Sequence, residues 1–212
     1  MEKRTAEMDN QGFWNQNASS YDCKTRILCR SYQVVIDRIG REIDKGQKVL
    51  EVATGTGIIA LKLAERAGFV EAIDFAPVMI EVAKEKAFRL GVANITFSVA
   101  NAYHLEFPDL IFDAVVMSNA LHVMQRPETA LAEARRVLKK NGVLVAPTYC
   151  HGQNLRSRLL SRVVALTGFK AYHRFTLETY LALIATNGFT IDKSVLLPDL
   201  IPVAYVVARK SN

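Results

Sequence analysis

The 212-residue sequence predicts a single α/β domain with a doubly wound, mostly parallel sheet. Three observations support this prediction. Short apolar runs alternate with stretches of helical periodicity over much of the chain. One run leads directly into the small, glycine-rich turn 53–57 and a helix start. Near the C-terminus two apolar runs are separated only by residues 198–202, and so short a connection permits antiparallel pairing only.

Each strand is predicted from an apolar run that is bounded by turn residues or glycine. The run at 112–118 is almost entirely apolar, which is typical of a strand covered on both faces. The predicted strands are 48–53, 70–74, 95–99, 112–118, 143–146, 189–197 and 203–208, seven in all with the last one antiparallel.

The helices are predicted from apolar residues that recur every three or four positions and from their end signals. Pro77 suits the first turn of a helix, because its missing N–H would have no partner there, and Gly91 is a typical C-cap. Thr176 can cap a later helix that Gly188 ends. The predicted helices are 21–43, 58–67, 77–91, 127–142, 154–166 and 176–188.

The composition is that of an ordinary globular protein, with 50% hydrophobic and 23% charged residues and a net charge of +6. Most basic residues are dispersed, and the sequence lacks the aromatic–basic alternation that single-strand nucleic-acid binders use. The densest basic group is interpreted as a solvated helix face, with an anionic substrate or a lipid headgroup surface as the alternative. Its members are Arg156, Arg158, Arg162, Lys170 and Arg174.

Targeting and redox signals are few. Residues 1–17 are polar and lack the apolar stretch of a signal peptide, and no apolar run is long enough to span a bilayer. Cys23, Cys29 and Cys150 cannot all pair with one another, and their spacing matches no zinc motif. We therefore expect a cytoplasmic protein with reduced thiols and no metal, for which peripheral membrane contact stays open.

The turn after the first strand indicates a nucleotide-type ligand. Gly55 and Gly57 let a ligand approach the backbone, and 55–60 also fits the dinucleotide pattern G-x-G-x-x-A. Glu51, inside the strand, suits a ligand with an amino group better than a dinucleotide. Asp74, about 20 residues past the glycines, can accept both ribose hydroxyls or cap the Pro77 helix.

Asparagines follow two further strands on the same predicted edge of the sheet. Asn101 can bond an adenine edge or serve as a turn residue, and Asn119 closes the fourth strand. Together with the glycine turn, these positions resemble the class I S-adenosylmethionine-dependent methyltransferases. The matching segments are Glu51-x-Ala53-x-Gly55-x-Gly57, 73–79, Asn101-Ala102, Phe112-Asp113, 119–122 and 134–144.

The resemblance implies a Rossmann-like methyltransferase fold, S-adenosyl-L-methionine as cofactor, and methyl transfer as the reaction. Ala53 replaces the first glycine of the motif, and Asn101 replaces an acid and so offers no charge. The implied contacts are Glu51 at the methionine amino group, Ala53, Gly55 and Gly57 at the turn, Asp74 at the ribose, Phe75 and Met79 beside adenine or ribose, Asn101 and Ala102 at the adenine edge, and Asn119 at the methionine end.

The N-terminal segment resembles the lid of small-molecule methyltransferases of ubiquinone and menaquinone biosynthesis, through Phe13-Trp14 and 19–22. Tyr21 is then expected to help close the cofactor site, whereas a plain helix start capped by Ser19 or Ser20 is the alternative. One domain is thus expected, with a lid and helix at 1–46, a cofactor-binding core at 47–150, a helical insertion at 151–188 and a hairpin at 189–212.

The acceptor is expected to be a small molecule in a pocket that the insertion shapes, apolar or amphiphilic because Leu, Val and Phe mix there with arginines. A base is needed only if the acceptor must lose a proton. The candidates are His122, Tyr149 and His151, each of which could instead merely line the pocket, and His104 is weaker. A dinucleotide-dependent oxidoreductase and a non-catalytic S-adenosylmethionine-binding protein are the alternatives, and the sequence predicts no oligomeric state.

Overall fold

The structure, a computed structural model, describes residues 10–28 and 31–211, including all their side chains except those of 26–28. Cys29 and most of the polar N-terminal segment lie outside the described residues. The described strands are β1 (Lys48–Val52), β2 (Phe69–Asp74), β3 (Ile95–Val99), β4 (Phe112–Val116), β5 (Leu138–Val145), β6 (Thr148–Tyr149), β7 (Phe189–Leu197) and β8 (Val203–Lys210). The described helices are α1 (Gln11–Leu28), α2 (Tyr32–Arg41), α3 (Ile58–Ala64), α4 (Pro77–Leu90), α5 (Pro127–Val137), α6 (Leu155–Ala165) and α7 (Leu177–Thr186).

One mixed sheet runs through the molecule. Strands β3, β2, β1, β4 and β5 are parallel neighbours in that order. Strand β8 pairs antiparallel with both β5 and β7, so it lies between them. The predicted antiparallel C-terminal strand is confirmed, and the two-residue β6, which also pairs with β8, is added to the seven predicted strands. The strand order reverses between β1 and β4, and ligands of open α/β sheets bind at such a switch point.

Helices cover both faces of the sheet. Val49 packs in a cluster with residues of α2, α3 and α4, whereas its neighbour Leu50 packs with α5 and α7 on the opposite face. Adjacent strand residues point to opposite faces, so a strand buried on both sides is apolar at nearly every position. This accounts for the apolar runs, and it confirms the doubly wound architecture.

Two predicted helix boundaries are wrong. The single helix predicted at 21–43 is instead α1, which already begins at Gln11, and a separate α2. The helix predicted to continue to Gly142 ends at Val137, because Leu138 adopts an extended backbone and pairs with Phe112. Gly142 lies within β5, where a methyl group on its Cα would come within 2.7 Å of Leu138 Cδ2. This glycine therefore serves close packing and not helix termination.

The predicted caps agree with the structure. Pro77 opens α4, and Gly91 ends it with a left-handed φ of 65°. Thr176 and Asn154 each accept a hydrogen bond from the backbone three residues on, in capping boxes that start α7 and α6. Along the described ranges 10–28 and 31–211, no helix combines the length and apolarity needed to cross a bilayer.

Candidate functional site

A first cavity of about 280 Å³ opens at the carboxyl ends of β1 to β4. The structure gathers nine of the eleven predicted cofactor residues in its lining. These are Tyr21, Ala53, Gly55, Asp74, Phe75, Met79, Asn101, Ala102 and Asn119. Of the predicted set, all of which lies in the described part of the chain, Glu51 and Gly57 are not among the lining residues.

The turn from β1 to α3 has an unusual backbone. Gly55 and Gly57 adopt left-handed φ angles of 55° and 79°, and Ala53 adopts a φ of 60°. Glycine reaches this region without strain, whereas an alanine does not. At Gly57 a methyl group would come within 2.9 Å of Phe97 and 3.0 Å of Ala83, so this glycine is required by packing beneath the turn.

Replacing Ala53 by glycine is expected to stabilise the protein by about 0.5–1 kcal/mol. The relieved left-handed strain of ~1–2 kcal/mol exceeds the entropic cost of ~0.5–1 kcal/mol for a glycine. Thermal unfolding should show a rise in Tm of a few degrees at most. As the control, Ala64→Gly in α3 should lower Tm, because no left-handed strain exists there to relieve. A lower Tm for Ala53→Gly would contradict the argument.

Asp74 joins the turn to the end of β2. One carboxylate oxygen accepts a hydrogen bond from the Gly55 N–H at 2.8 Å, and the other accepts from the Ala76 N–H at 2.9 Å. Burial raises the pKa of this carboxyl to about 6, although the backbone donors lower it. A carboxylate has about four lone-pair sites, so these backbone donors leave it capacity to accept from a ligand in the cavity. The residue therefore shapes the turn and can still accept a pair of ligand hydroxyls.

Glu51 lies behind the turn and is only 1% exposed. The Thr54 hydroxyl donates to one of its oxygens at 2.5 Å. Burial raises the pKa of Glu51 to about 8, and the nearby Asp74 carboxylate contributes in the same direction. Glu51 is therefore mostly protonated near pH 7, and a cation close to it would favour its ionised form.

Helix α1 covers the first cavity with side chains that the sequence analysis did not assign to the cofactor. Gln11 and Trp14 line the cavity beside Tyr21, and the Gln11 amide donates to the Phe75 carbonyl. The other lining residues missed by the sequence analysis lie at or after the carboxyl ends of strands. They are Ile73, Val99, Ala100, Tyr103, Ser118, Val123 and Met124.

An ion pair fastens α1 over the turn. Asp22 accepts a hydrogen bond from the Thr56 hydroxyl and pairs with the Lys86 ammonium. The same ammonium donates to the Thr56 carbonyl at 2.9 Å. Farther along, the Asn15 side chain accepts from the Val78 N–H at 3.2 Å. The described start of the predicted lid segment is thus a helix that packs over the turn.

A second cavity of about 500 Å³ adjoins the first. Trp14, Tyr21 and Asn119 line both cavities, so the two share a wall. The three base candidates, His122, Tyr149 and His151, all line the second one, whereas His104 is exposed and lines neither. Apolar side chains make up much of the remainder: Phe13, Leu160, Val164, Phe169, Leu200 and Ile201.

The base candidates form an aromatic cluster. The His122 and His151 ring centroids lie 5.2 Å apart, and His151 stacks on Phe169 at 6.0 Å. His122 Nδ1 is hydrogen-bonded to the Thr148 hydroxyl at 2.9 Å. Burial lowers the pKa of His151 to about 4 and that of His122 well below its usual value. Both imidazoles are therefore neutral near pH 7.

Several polar atoms at this junction are buried without a hydrogen-bond partner among the described residues. They are Ser118 Oγ and Asn119 Oδ1 in the first cavity, and both ring nitrogens of His151 in the second. Such atoms are rare unless a ligand or water forms the missing hydrogen bond.

Within 10–28 and 31–211, no group of three or more His, Cys, Asp or Glu side chains is arranged to hold a metal ion.

Comparisons with known proteins agree with this geometry. A family model described as a methyltransferase domain matches residues 50–146. The chain is 33% identical over 183 residues to the ubiquinone/menaquinone biosynthesis C-methyltransferase of Allorhizobium ampelinum, covering 80% of this chain and 70% of that protein. It is 37% identical over 137 residues to the demethylmenaquinone methyltransferase of Thermus thermophilus, covering 62% of each.

Solved structures show the same fold. A SAM-dependent methyltransferase from Aquifex aeolicus superposes with a TM-score of 0.73 at 19% identity, covering 92% of this chain and 98% of that one. A [4+2]-cyclase superposes with a TM-score of 0.71 at 21% identity, covering 84% and 80%, so the fold alone does not determine the reaction. The sequence relatives do assign it: the chain belongs to the class I S-adenosylmethionine-dependent small-molecule methyltransferases, together with the ubiquinone/menaquinone C-methyltransferases.

Proposed function

We propose that this methyltransferase methylates a ring carbon of an apolar, hydroxyl-bearing aromatic molecule held in the second cavity. The observation that carries the proposal is the shared wall of the two cavities, with the unpartnered His151 imidazole in the acceptor compartment. Aromatic and apolar walls suit a ring, and a buried imidazole suits a hydroxyl. Relatives named as C-methyltransferases of quinone biosynthesis support carbon as the methylated atom.

The residues of the first cavity fit S-adenosylmethionine. Asp74 has lone pairs left for the ribose hydroxyls, and the strained turn brings bare backbone to the cavity. When bound, the cofactor supplies an electrophilic methyl group on a sulfonium. The leaving group needs no acid, so these residues act by alignment.

His151 is the residue we assign to the acceptor hydroxyl. When a ring carbon takes up the methyl group, the hydroxyl on the ring would become strongly acidic, and the neutral His151 imidazole would take its proton. Loss of the proton from the methylated carbon and return of a proton to the oxygen would then restore the aromatic ring. His122 is less suited, because its Nδ1 is already engaged by Thr148. Its ring packs against His151 and Tyr149, and it helps to hold them in place.

The division of the chain into lid, core, acceptor-shaping insertion and hairpin, at the boundaries given above, belongs to this proposal. Side chains of α1 and of the insertion line the second cavity, which supports it. We further propose a cytoplasmic location, supported by the free thiols of Cys23 and Cys150.

Two measurements test the function in sequence. S-adenosylhomocysteine should raise Tm, and NAD(H) should not; the reverse would restore the oxidoreductase alternative. The protein is then incubated with S-adenosylmethionine and hydroquinols, phenols, amines or thiols, and the products are analysed by mass spectrometry. We expect a C-methylated hydroquinol. Binding of S-adenosylhomocysteine with no methylated product would favour the non-catalytic alternative, and an amine or thiol product would overturn the assignment of the acceptor.

A further inference from the structure

Helix α6 buries two serines and exposes several large apolar side chains, which is the reverse of the usual pattern of a surface helix. Its serines Ser157 and Ser161 are buried, at 0% and 3% exposure. Four of its large apolar side chains face outward: Leu155 is 73% exposed, Leu159 52%, Val163 60%, and Leu166, at the C-cap, 87%. Surface helices normally turn such residues to the core.

The exposed apolar residues form one stripe. Successive helical residues rotate by about 100°, which places Leu155, Leu159, Val163 and Leu166 within an arc of about 80°. Arg156 then borders the stripe on one side, and Arg162 borders it on the other. Both arginines are exposed. We call this surface, made of these four apolar residues and two arginines, the α6 face.

The α6 face carries positive charge, and no acidic residue neighbours it along the chain. The sequence from 134 to 177 contains no aspartate or glutamate, and Arg158, Lys170 and Arg174 add to the basic character of the insertion. An apolar stripe bordered by arginines is the pattern of helices that lie in the interface of a membrane with anionic lipids.

The opposite side of the same helix points to the second cavity. Leu160 and Val164 line that cavity together with Phe169, which follows the helix. A helix that lay in the headgroup region by its outer stripe would thus form a wall between the bilayer and the acceptor compartment.

We propose that the α6 face docks this methyltransferase on an anionic bilayer surface, next to a reservoir of apolar acceptors. The alternative occupant, a second copy of the chain, is disfavoured by charge. A two-fold contact through this face would set the arginines of one copy near those of the other, whereas anionic headgroups neutralise them. The docking does not depend on the acceptor assignment, since it is measured without turnover.

Co-sedimentation with vesicles tests the proposal. The wild-type protein should bind phosphatidylcholine vesicles that contain phosphatidylglycerol, bind pure phosphatidylcholine much more weakly, and release with added salt. The triple variant Leu159→Ser, Val163→Ser, Leu166→Ser should bind roughly tenfold more weakly, and Arg156→Gln with Arg162→Gln should remove the preference for anionic lipid. Tm and binding of S-adenosylhomocysteine should be unchanged, because the altered side chains are exposed.

The matched control is Phe88→Ser with Leu90→Ser, two apolar residues of α4 that are 87% and 67% exposed. This variant should bind vesicles as the wild type does. The proposal is overturned if the wild type ignores anionic vesicles, or if the triple variant and the α4 variant behave alike. It is equally overturned if sedimentation velocity shows a dimer that the triple variant abolishes, which would make the α6 face a contact between copies.

Discussion

Replacing Asp74 by alanine is expected to weaken the binding of S-adenosylhomocysteine by about 100-fold or more. Hydrogen bonds to a charged group contribute about 1.5–3 kcal/mol each, and two ribose hydroxyls would lose their acceptor. The variant also frees the Gly55 N–H, which Asp74 now holds at 2.8 Å, so the turn would be less well ordered. Isothermal titration calorimetry at pH 8, above the raised pKa of Asp74, measures the effect.

The control for this experiment is Glu71→Gln, on the same strand β2. The Glu71 side chain accepts a hydrogen bond from Thr96 and is not among the described residues that line the first cavity, so affinity should stay within threefold of the wild type. Asp74→Asn keeps the size of the side chain and removes its charge, so the affinity of this variant shows how much of the loss is due to the charge. Affinity for Asp74→Ala near that of the wild type, with Tm also unchanged, would falsify the ribose assignment.

The raised pKa of Asp74 adds a pH dependence. Ligand hydroxyls favour the ionised carboxylate, and the pKa of this group in the free protein is about 6. Affinity for S-adenosylhomocysteine should therefore fall as pH is lowered through 6. The Asp74→Asn variant cannot ionise at this position and should lack that part of the decline.

Replacing His151 by phenylalanine is expected to lower kcat by about 100-fold, the usual contribution of a positioned base. Phenylalanine keeps a ring against Phe169, and it removes both nitrogens. S-adenosylhomocysteine should bind as in the wild type, because His151 lines only the second cavity. Steady-state turnover of the acceptor identified in the product assay gives the comparison.

The pH profile distinguishes a base from a packing residue, because only a base would give the wild type an acid limb near pH 4 that His151→Phe lacks. Because burial lowers the pKa of His151 to about 4, its imidazole is already neutral at pH 6, and it should impose no acid limb above about pH 5. His104→Phe is the control, since His104 is exposed and should leave kcat unaffected. If kcat of His151→Phe stayed within threefold of the wild type, the proton acceptor would have to be sought elsewhere.

The positions of the strands and the glycine turn could be predicted because both are local in sequence. An apolar run, a glycine and a proline each impose their own backbone preference, as Pro77 and Gly91 do at the two ends of α4. Local preferences gave a wrong prediction at the end of α5, where pairing with a distant strand determines the backbone. Leu138 continued the helical periodicity of α5, yet its pairing with Phe112 draws it into β5.

The start of α1 could not be predicted, because it is rich in asparagine, glutamine and serine, which favour turns and caps over helix interiors. Its helical form depends on tertiary packing of Trp14, Ala18 and Tyr21 against Ala76 and Met79. For the same reason the contribution of Trp14 to both cavities became visible only in the fold.

The positions of Glu51 and Gly57 show a further limit of motif-based inference. Both belong to the motif, and the structure places Gly57 against Phe97 and Glu51 beneath the turn at Thr54. Spacing along a motif does not distinguish side chains that face a cavity from those that support its wall. Their contacts with the cofactor stay predictions that binding measurements on Glu51→Gln would examine.

The position of α1 has a consequence for product release. Trp14 and Tyr21 belong to α1 and line both cavities, and the Asp22–Lys86 ion pair holds that helix in place over them. Movement of α1 away from the sheet would expose S-adenosylhomocysteine and the methylated acceptor at the same time. The departures of both products would then require the same movement of α1.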